Sequence, residues 1–172
     1  YEVTAAPEDN WVKTGDRILL ADKQAASVLE KARVESFARI SDAGDLSNTS
    51  LSHPLAGMEG SDGEWDEPRD FRAAPFVTEE DGTGFVHCAP SHGMDEFELY
   101  RDAGMLEQVL TYNVMEDGAM RADLPFFGGK RILKPNGKEG NVNAAVIEKL
   151  AESGKLLGFA NWTHTPLCLR SQ

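Results

Sequence analysis

The chain has 172 residues, of which 41% are hydrophobic and 27% charged, and its formal net charge is −12. This composition is typical of a water-soluble globular domain, and no apolar run approaches the roughly 20 residues that a membrane helix needs. Two cysteines are too few for a disulfide framework, and the first residues show no signal-peptide pattern, so we expect a cytoplasmic protein without a membrane partner.

The negative charge is concentrated in the first part of the chain. Residues 1–120 carry 25 Asp and Glu against 9 Lys and Arg, whereas residues 121–172 carry 4 against 8. Because phosphate contacts dominate nucleic-acid affinity, the acidic part is not expected to hold a duplex by itself. The short basic stretch around Lys130 and Arg131 is compatible with a few phosphate contacts, although a solvated loop is the more common use of such a stretch.

The first forty residues show strand and helix patterns in turn. YEVTAA (1–6), DRILLAD (16–22) and VESFARIS (34–41) are typical of strands. DKQAASVLEKARV (22–34) predicts a helix that Asp22 caps. Its apolar face is predicted to consist of Ala25, Val28, Leu29 and Ala32. Residues 42–70 are rich in Gly, Ser, Asp and Pro, which indicates strands separated by long loops.

A hairpin and a helix are predicted next. APFVTEE (74–80) and GFVHCAP (84–90) flank Asp81-Gly82, and two apolar segments around Asp-Gly favour a β-hairpin. Pro90 ends the second strand because it has no amide hydrogen for the ladder. A helix over 94–102 follows, with Gly104 as its stop. Its inward side chains are predicted to be Met94, Phe97 and Tyr100.

The last predicted elements complete the fold class. QVLTYNVM (108–115) and KRILK (130–134) predict strands, and Asn141 is expected to cap a helix that Gly154 closes. The inward stripe of this helix consists of Val142, Ala145, Val146, the stem of Lys149 and Leu150. Strands outnumber helices and have hairpin-type connections, so we expect one α+β domain over 1–172 with a β-barrel-like core of mostly antiparallel strands and peripheral helices.

The stretch GTGFVHCAPSHGMDEFELY (82–100) has the composition of a site. A metal site would draw on His87, Cys88, His92 and Asp95, but neighbours on a strand point to opposite faces, and no Cys-x-x-Cys or His-Glu-x-x-His pattern occurs. The same divergence argues against a Cys88–His87 nucleophile pair, and Ser91 has no Gly-x-Ser-x-Gly setting. Cys88 is better interpreted as a small buried apolar residue.

A non-covalent pocket is the third interpretation. His87 shares a strand face with Phe85, while Asp95 and Glu96 occupy the first turn of the following helix, where the helix dipole keeps carboxylates ionised. This arrangement suits the binding of an ammonium group and the positioning of a water molecule. Acids at a helix start also commonly do no more than cap and solvate the helix, and both interpretations stay open.

The segment GTGFVHCAPSHGMDEF (82–97) resembles the signature of the editing domain inserted into class I aminoacyl-tRNA synthetases for isoleucine, valine and leucine. His87 makes it similar to the isoleucyl type, because valyl enzymes usually have Lys and leucyl enzymes Met there. The resemblance extends over nearly the whole chain through HPLAG (53–57), DFRAAPFVTEEDGTG (70–84), GNVNAAVIEKLAESGKLL (140–157) and FANWTHTP (159–166).

The resemblance implies hydrolysis of valine esterified to isoleucine tRNA, and of valyl-adenylate. The implied partners are the 3′ end of a misacylated tRNA and the catalytic body of the parent synthetase. In this family His87 lines the pocket and helps to reject isoleucine. The family's Asp that holds the substrate ammonium falls at Glu96, so both Glu96 and Asp95 are candidates.

Other roles follow from the same resemblance. Gly82, Thr83 and Gly84 shape a turn beside the substrate, and Phe85 and His92 join them as substrate-binding candidates. Trp162 and the stretch around Lys130 and Arg131 are candidates for contact with the tRNA end. The resemblance implies no metal ligand.

The sequence departs from the family at both ends. The Thr-Thr-x-Pro-Trp-Thr strand that the family has before the position of Tyr1 is absent, and THTPLCLRSQ (163–172) lacks the usual Tyr-Pro-His. We therefore expect a fragment of a larger synthetase. No ATP-binding signature of the class is present, so ATP and Mg would belong to the absent catalytic domain, and no cofactor is expected here. The alternatives are a non-catalytic module that binds an amino acid or a tRNA 3′ end, and an editing domain of the valyl type.

Overall fold

The structure, a computed structural model, describes residues 1–80 and 82–158. Within this range the chain forms short strands and helices joined by long turns. The strands are β1 (Glu2–Ala5), β2 (Ser36–Ala38), β3 (Ser50–Leu51) and β4 (Arg69–Asp70). The helices are α1 (Asp22–Lys31), α2 (Met94–Asp102), α3 (Leu106–Val109) and α4 (Val142–Glu152). No helix in the described ranges has the length and apolarity needed to cross a membrane.

The strands form two separate antiparallel pairs. β1 pairs with β2 through Val3 and Phe37, and β3 pairs with β4 through Leu51 and Arg69. The mixture of helices and antiparallel strands agrees with the predicted α+β class. The barrel-like core is not seen: across residues 1–80 and 82–158 the strands form two separate two-stranded pairs and do not close, because the other predicted strands contribute only isolated bridges or no pairing.

The first core lies between α1 and the β1–β2 pair. Val3, Val12 and Ala32 form one buried cluster, and Leu20, Ala25 and Leu29 form another that shares partly buried neighbours with it. The predicted apolar face of α1 is therefore confirmed. The helix ends earlier than predicted, since Arg33 adopts a left-handed φ of 58°. The buried Asn10 donates its side-chain amide to the Ala32 carbonyl (2.8 Å) and so satisfies the end of the helix.

The second core lies beneath α4. Leu55, Leu124, Phe127 and Val142 are buried there, and the partly buried members include Trp65, Phe126, Ala145, Val146 and Leu150. The predicted inward stripe of α4 is confirmed, and the ammonium of Lys149 lies 4.7 Å above the Phe126 ring. Gly154 closes the helix with a φ of 68°.

The two predicted side-chain caps are wrong. The Asn141 side chain accepts a hydrogen bond from the Arg131 amide (2.9 Å) instead of capping α4. Asp22 lies inside the first turn of α1, and its carboxylate pairs with Arg39 (3.0 Å). In both cases a partner from a distant part of the chain has replaced the local helix amide.

The predicted hairpin around Asp81-Gly82 is also wrong. Asp81 itself lies outside the described residues, and the flanking segments 71–80 and 82–93 contain no strand. Their carbonyl groups bond to α1 instead: the Ala21 amide donates to the Thr83 carbonyl (2.9 Å), and the Gln24 side-chain amide donates to the Glu79 (3.0 Å) and Glu80 (2.8 Å) carbonyls. Carbonyls that are used in this way are lost to cross-strand pairing.

The later part of the chain follows its prediction in the helices and departs from it in the strands. α2 spans the predicted residues, and Gly104 stops it with a φ of 67°, but Met94 is 73% exposed rather than inward. QVLTYNVM begins inside α3, and with KRILK it contributes only isolated bridges, such as Val114 with Met120. DRILLAD likewise supplies one bridge, between Arg17 and Glu2.

Replacing Leu29 by Ala should lower the free energy of unfolding by about 2–5 kcal/mol, because the side chain is fully buried in the α1 core and its removal leaves a cavity. Leu133→Ala, at a leucine that is 52% exposed, should cost no more than about 0.5 kcal/mol. Urea unfolding of both variants measures the difference, and equal losses would show that the core lies elsewhere.

Candidate functional site

The candidate site consists of the loop 82–93 and the first turn of α2. The loop is held against α1 at Gly84, where φ is 81° and an added Cβ would overlap the Cβ of Ala21. Gly82 also has a left-handed φ of 63° but faces open space. The Thr83 hydroxyl accepts a hydrogen bond from the Phe85 amide (3.3 Å) and donates one to the Phe85 carbonyl (3.2 Å), which tightens the turn. The Gly-Thr-Gly sequence therefore forms a tight turn on the first turn of α1.

Phe85 follows this turn and lines a cleft. Its ring contacts Phe71 edge-on at a centroid distance of 5.6 Å. The cleft has a volume of about 160 Å³ and is also lined by Tyr1, Leu19 and Arg39. Arg39 is paired there with Asp22 (3.0 Å), and that ion pair, together with a hydrogen bond from the Tyr1 hydroxyl, holds the pKa of Asp22 below its usual range.

His87 lies exposed on the loop, and the structure places it near His53 from the HPLAG segment. The pKa of His53 is lowered first by burial and then by the charges of His87 and Arg69. The His53 ring stacks on Trp65 at 5.6 Å, and its Nδ1 accepts the Leu55 amide (3.1 Å). The charge of His87 therefore acts on a second imidazole, which stacking and a hydrogen bond hold in place.

The two adjacent acids behave differently. Glu96 is half-buried and its carboxylate is turned back over Gly93, where an added Cβ would overlap it. Burial and then the charge of Glu96 raise the pKa of the Cys88 thiol, so Cys88 is not an activated nucleophile. Asp95 is exposed on the same turn. The Glu96 carboxylate thus lies beside Gly93, at the end of the loop that carries His87 and Cys88.

The other predicted site residues are more peripheral. His92 is exposed, and its amide donates to the Ala89 carbonyl (2.8 Å) within the loop. Arg131 pairs with Asp117 (3.0 Å), which neutralises part of the basic stretch. Trp162 and the FANWTHTP and THTPLCLRSQ segments lie outside the described residues. Within the described ranges, no three His, Cys, Asp or Glu side chains gather closely enough to hold a metal ion.

His53 and Arg69 are two further candidate residues that the sequence did not indicate. The HPLAG segment, which contains His53, indicated only a family resemblance. Arg69 lies in a segment of mixed charge that predicts no site. No local spacing links either residue to His87, because the β3–β4 pairing and the α1 contacts bring the three segments together.

Sequence comparison identifies relatives along almost the whole chain. An isoleucine–tRNA ligase of Ruegeria pomeroyi is 58% identical over 167 residues, which are 96% of this chain. The isoleucine–tRNA ligases of Rhodopseudomonas palustris and Caulobacter vibrioides are 40% and 37% identical over 172 and 173 residues. The chain spans 17% of the length of each of these relatives. No family model matches the sequence.

These relatives confirm the class that the 82–97 signature indicated, the aminoacyl-tRNA synthetases. Within that class, the chain is the homologue of a segment of the isoleucine–tRNA ligases.

Gly84→Ala should destabilise the chain far more than Gly82→Ala. Both substitutions place a side chain at a left-handed φ, which costs about 1–2 kcal/mol, but only Gly84 would also force a Cβ into Ala21. The added overlap should bring the loss at Gly84 to about 3 kcal/mol or more. Chemical unfolding of the two variants measures this, and equal stabilities would refute the docking of the loop on α1.

Proposed function

We propose that the chain is the proofreading segment of an isoleucine–tRNA ligase and hydrolyses valine esterified to isoleucine tRNA, and valyl-adenylate, in the cytoplasm. The observation that carries this proposal is the similarity to isoleucine–tRNA ligases over 95–96% of the chain, with the signature segment at its centre. The geometry adds support, since His87 and Glu96 both belong to the loop and helical turn that this signature forms.

The chemical need for such a segment is general. Isoleucine and valine, the usual illustration of this limit, differ by one methylene, which an apolar pocket discriminates by only about 1–3 kcal/mol. A second pocket that admits valine and excludes isoleucine removes the remaining errors. An ester hydrolase site inside the synthetase provides that second selection.

In the proposed reaction, a bound water attacks the carbonyl carbon of the aminoacyl ester. The bond from that carbon to the ribose oxygen breaks, the ribose oxygen takes a proton, and valine and free tRNA are released. Glu96 anchors the α-ammonium of the amino acid, because this residue is half-buried and its carboxylate is turned back over Gly93, whereas Asp95 is exposed to solvent. His87 orients the ester and limits the size of the side chain, and the neighbouring ribose hydroxyl assists.

The segment works in this proposal with the rest of the synthetase. The first 120 residues carry a large excess of negative charge, and Arg131 is already paired with Asp117. Most of the phosphate contacts to tRNA therefore fall to the catalytic body, which also binds ATP and Mg. The hydrolytic step assigned to this segment uses water and no cofactor of its own.

One observation favours a second candidate, a module that binds the aminoacylated end without hydrolysing it. His87 is exposed, and the cleft beside Phe85 is lined by neither His87 nor Glu96, so the candidate site is open to solvent at His87. A site of this kind becomes enclosed only if other parts of the synthetase cover it.

A chimera tests the proposal. In the chimera, this chain replaces its 58% identical counterpart in the Ruegeria pomeroyi isoleucine–tRNA ligase. The release of valine from Val-tRNA(Ile) is then measured for the chimera and for the isolated chain. We expect hydrolysis by the chimera and none by a ligase that lacks the segment. A chimera that binds Val-tRNA(Ile) without cleaving the ester supports the binding module instead.

Glu96→Gln in the chimera should reduce kcat/KM for Val-tRNA(Ile) by about 10- to 100-fold, the effect of losing one charge-assisted hydrogen bond. Asp95→Asn is the matched control, because it removes the same charge from the adjacent exposed position. A larger loss for Asp95→Asn than for Glu96→Gln would transfer the ammonium site to Asp95.

His87→Ala should allow the chimera to hydrolyse Ile-tRNA(Ile), because the smaller side chain leaves room for the additional methylene. The readout is the ratio of deacylation rates for Ile-tRNA(Ile) and Val-tRNA(Ile), which should rise by about tenfold or more. If the variant spares Ile-tRNA(Ile) as well as the parent chimera does, His87 does not determine specificity.

A further inference from the structure

His53 is held in place by the second core. Its ring lies parallel to Trp65 (5.6 Å, 14°), and Trp65 in turn stacks on Phe126 (5.6 Å, 19°), which packs in the cluster beneath α4. The imidazole is therefore exposed at the surface but supported by the aromatic core. The two-residue strand β3, which precedes His53, would not by itself provide that support.

The Leu55 amide determines which nitrogen of His53 carries the proton. It donates to Nδ1 (3.1 Å), so Nδ1 presents its lone pair, and the proton of the neutral ring must reside on Nε2. No described residue forms a hydrogen bond with Nε2. Burial and the charges of His87 and Arg69 keep the pKa of His53 below its usual range, so at neutral pH the ring offers one fixed N–H donor.

Arg69 provides a second donor beside it. The β3–β4 pairing sets Leu51 opposite Arg69, which places Arg69 next to the chain that leads to His53. Six other arginines of residues 1–80 and 82–158 contact carboxylates: Arg17, Arg33, Arg39, Arg101, Arg121 and Arg131. Within those ranges no carboxylate forms an ion pair with Arg69, whose guanidinium contacts only the Pro68 carbonyl (3.3 Å).

These groups form a cluster of donors in an acidic part of the chain. His53, Arg69 and His87 come from three segments, which the β3–β4 pairing and the contact between the Phe71 and Phe85 rings (5.6 Å) bring together. A guanidinium without a carboxylate partner, next to a fixed N–H donor, has the chemistry of a phosphate subsite.

We propose that His53 and Arg69 bind a phosphate of the aminoacylated nucleotide whose ester lies at His87. This inference rests on the proposed function for the identity of the nucleotide and extends it by naming the groups that hold the phosphate. The phosphate is the one on the 5′ side of the terminal adenosine of the tRNA, whose 2′ or 3′ oxygen carries the ester.

Two non-hydrolysable ligands test the subsite: 3′-valylamido-adenosine and the same compound with a 5′-phosphate. Calorimetric titration of the full chain and of the chimera gives the gain in affinity that the phosphate provides. For the parent protein we expect a gain of about 10- to 100-fold, typical of charge-assisted hydrogen bonds. In Arg69→Gln the gain should fall to a few-fold, while affinity for the ligand without phosphate stays unchanged.

Variants of His53 separate a binding role from a structural one. His53→Asn keeps an acceptor for the Leu55 amide but has no distal N–H, so it should fold normally and lose about 3- to 10-fold of the phosphate gain. His53→Gln places an amide N–H near the former Nε2 and should recover part of that loss. Arg72→Gln is the matched control, because Arg72 lies over the Tyr100 ring (5.3 Å) and also lacks a carboxylate partner among the described residues.

The results distinguish this inference from the proposed function. The subsite would be overturned if the 5′-phosphate gave the same gain in affinity in the parent protein, in Arg69→Gln and in His53→Asn. It would also be overturned if the phosphate gave no gain in affinity, or if neither ligand bound. A chimera that hydrolyses Val-tRNA(Ile) without an Arg69-dependent gain refutes only the subsite. An Arg69-dependent gain in a chimera that hydrolyses nothing supports the subsite and refutes only the hydrolytic function.

Discussion

The contact between the first turn of α1 and the segment 79–84 is the constraint on which the site depends. The Ala21 amide and the Gln24 side chain bond to three carbonyls of that segment, and Lys23 pairs with Glu80 (2.8 Å). Gly84 allows the backbone to approach α1 closely. Because the loop is held here, Phe85 meets Phe71 and His87 emerges near His53, so an exposed loop has a definite position on the two cores.

The site joins two supports of different kinds. On one side, His53 is tied through Trp65 to the aromatic core beneath α4. On the other side, the first turn of α2 carries Glu96, whose carboxylate is turned back over Gly93. Donors therefore collect on the first side and a carboxylate on the second. In the proposed function these two sides correspond to the two charges of the substrate, a phosphate and an ammonium.

The helices could be predicted from the sequence much better than the strands. The apolar faces of α1 and α4 and the bounds of α2 follow from local periodicity and glycine stops, and the structure reproduces them. Strand pairing is non-local and depends on the partner segment. The apolar stretch 84–90 forms no strand in the structure, where the carbonyls of Glu79, Glu80 and Thr83 bond to the start of α1 instead. The caps predicted at Asp22 and Asn141 failed for the same reason, since each side chain has a distant partner.

The sequence by itself determined the family, through the order of residues in 82–97 and the matches spread along the chain, and it identified His87 and Glu96 as candidates. It did not distinguish Glu96 from Asp95, and it gave no sign that His53 and Arg69 come near the candidate site. The tertiary structure leaves Glu96 half-buried and Asp95 exposed, and the β3–β4 pair brings Arg69 beside the chain that leads to His53. The direction of a side chain at a helix start, and the approach of segments far apart in sequence, depend on packing that residue spacing does not encode.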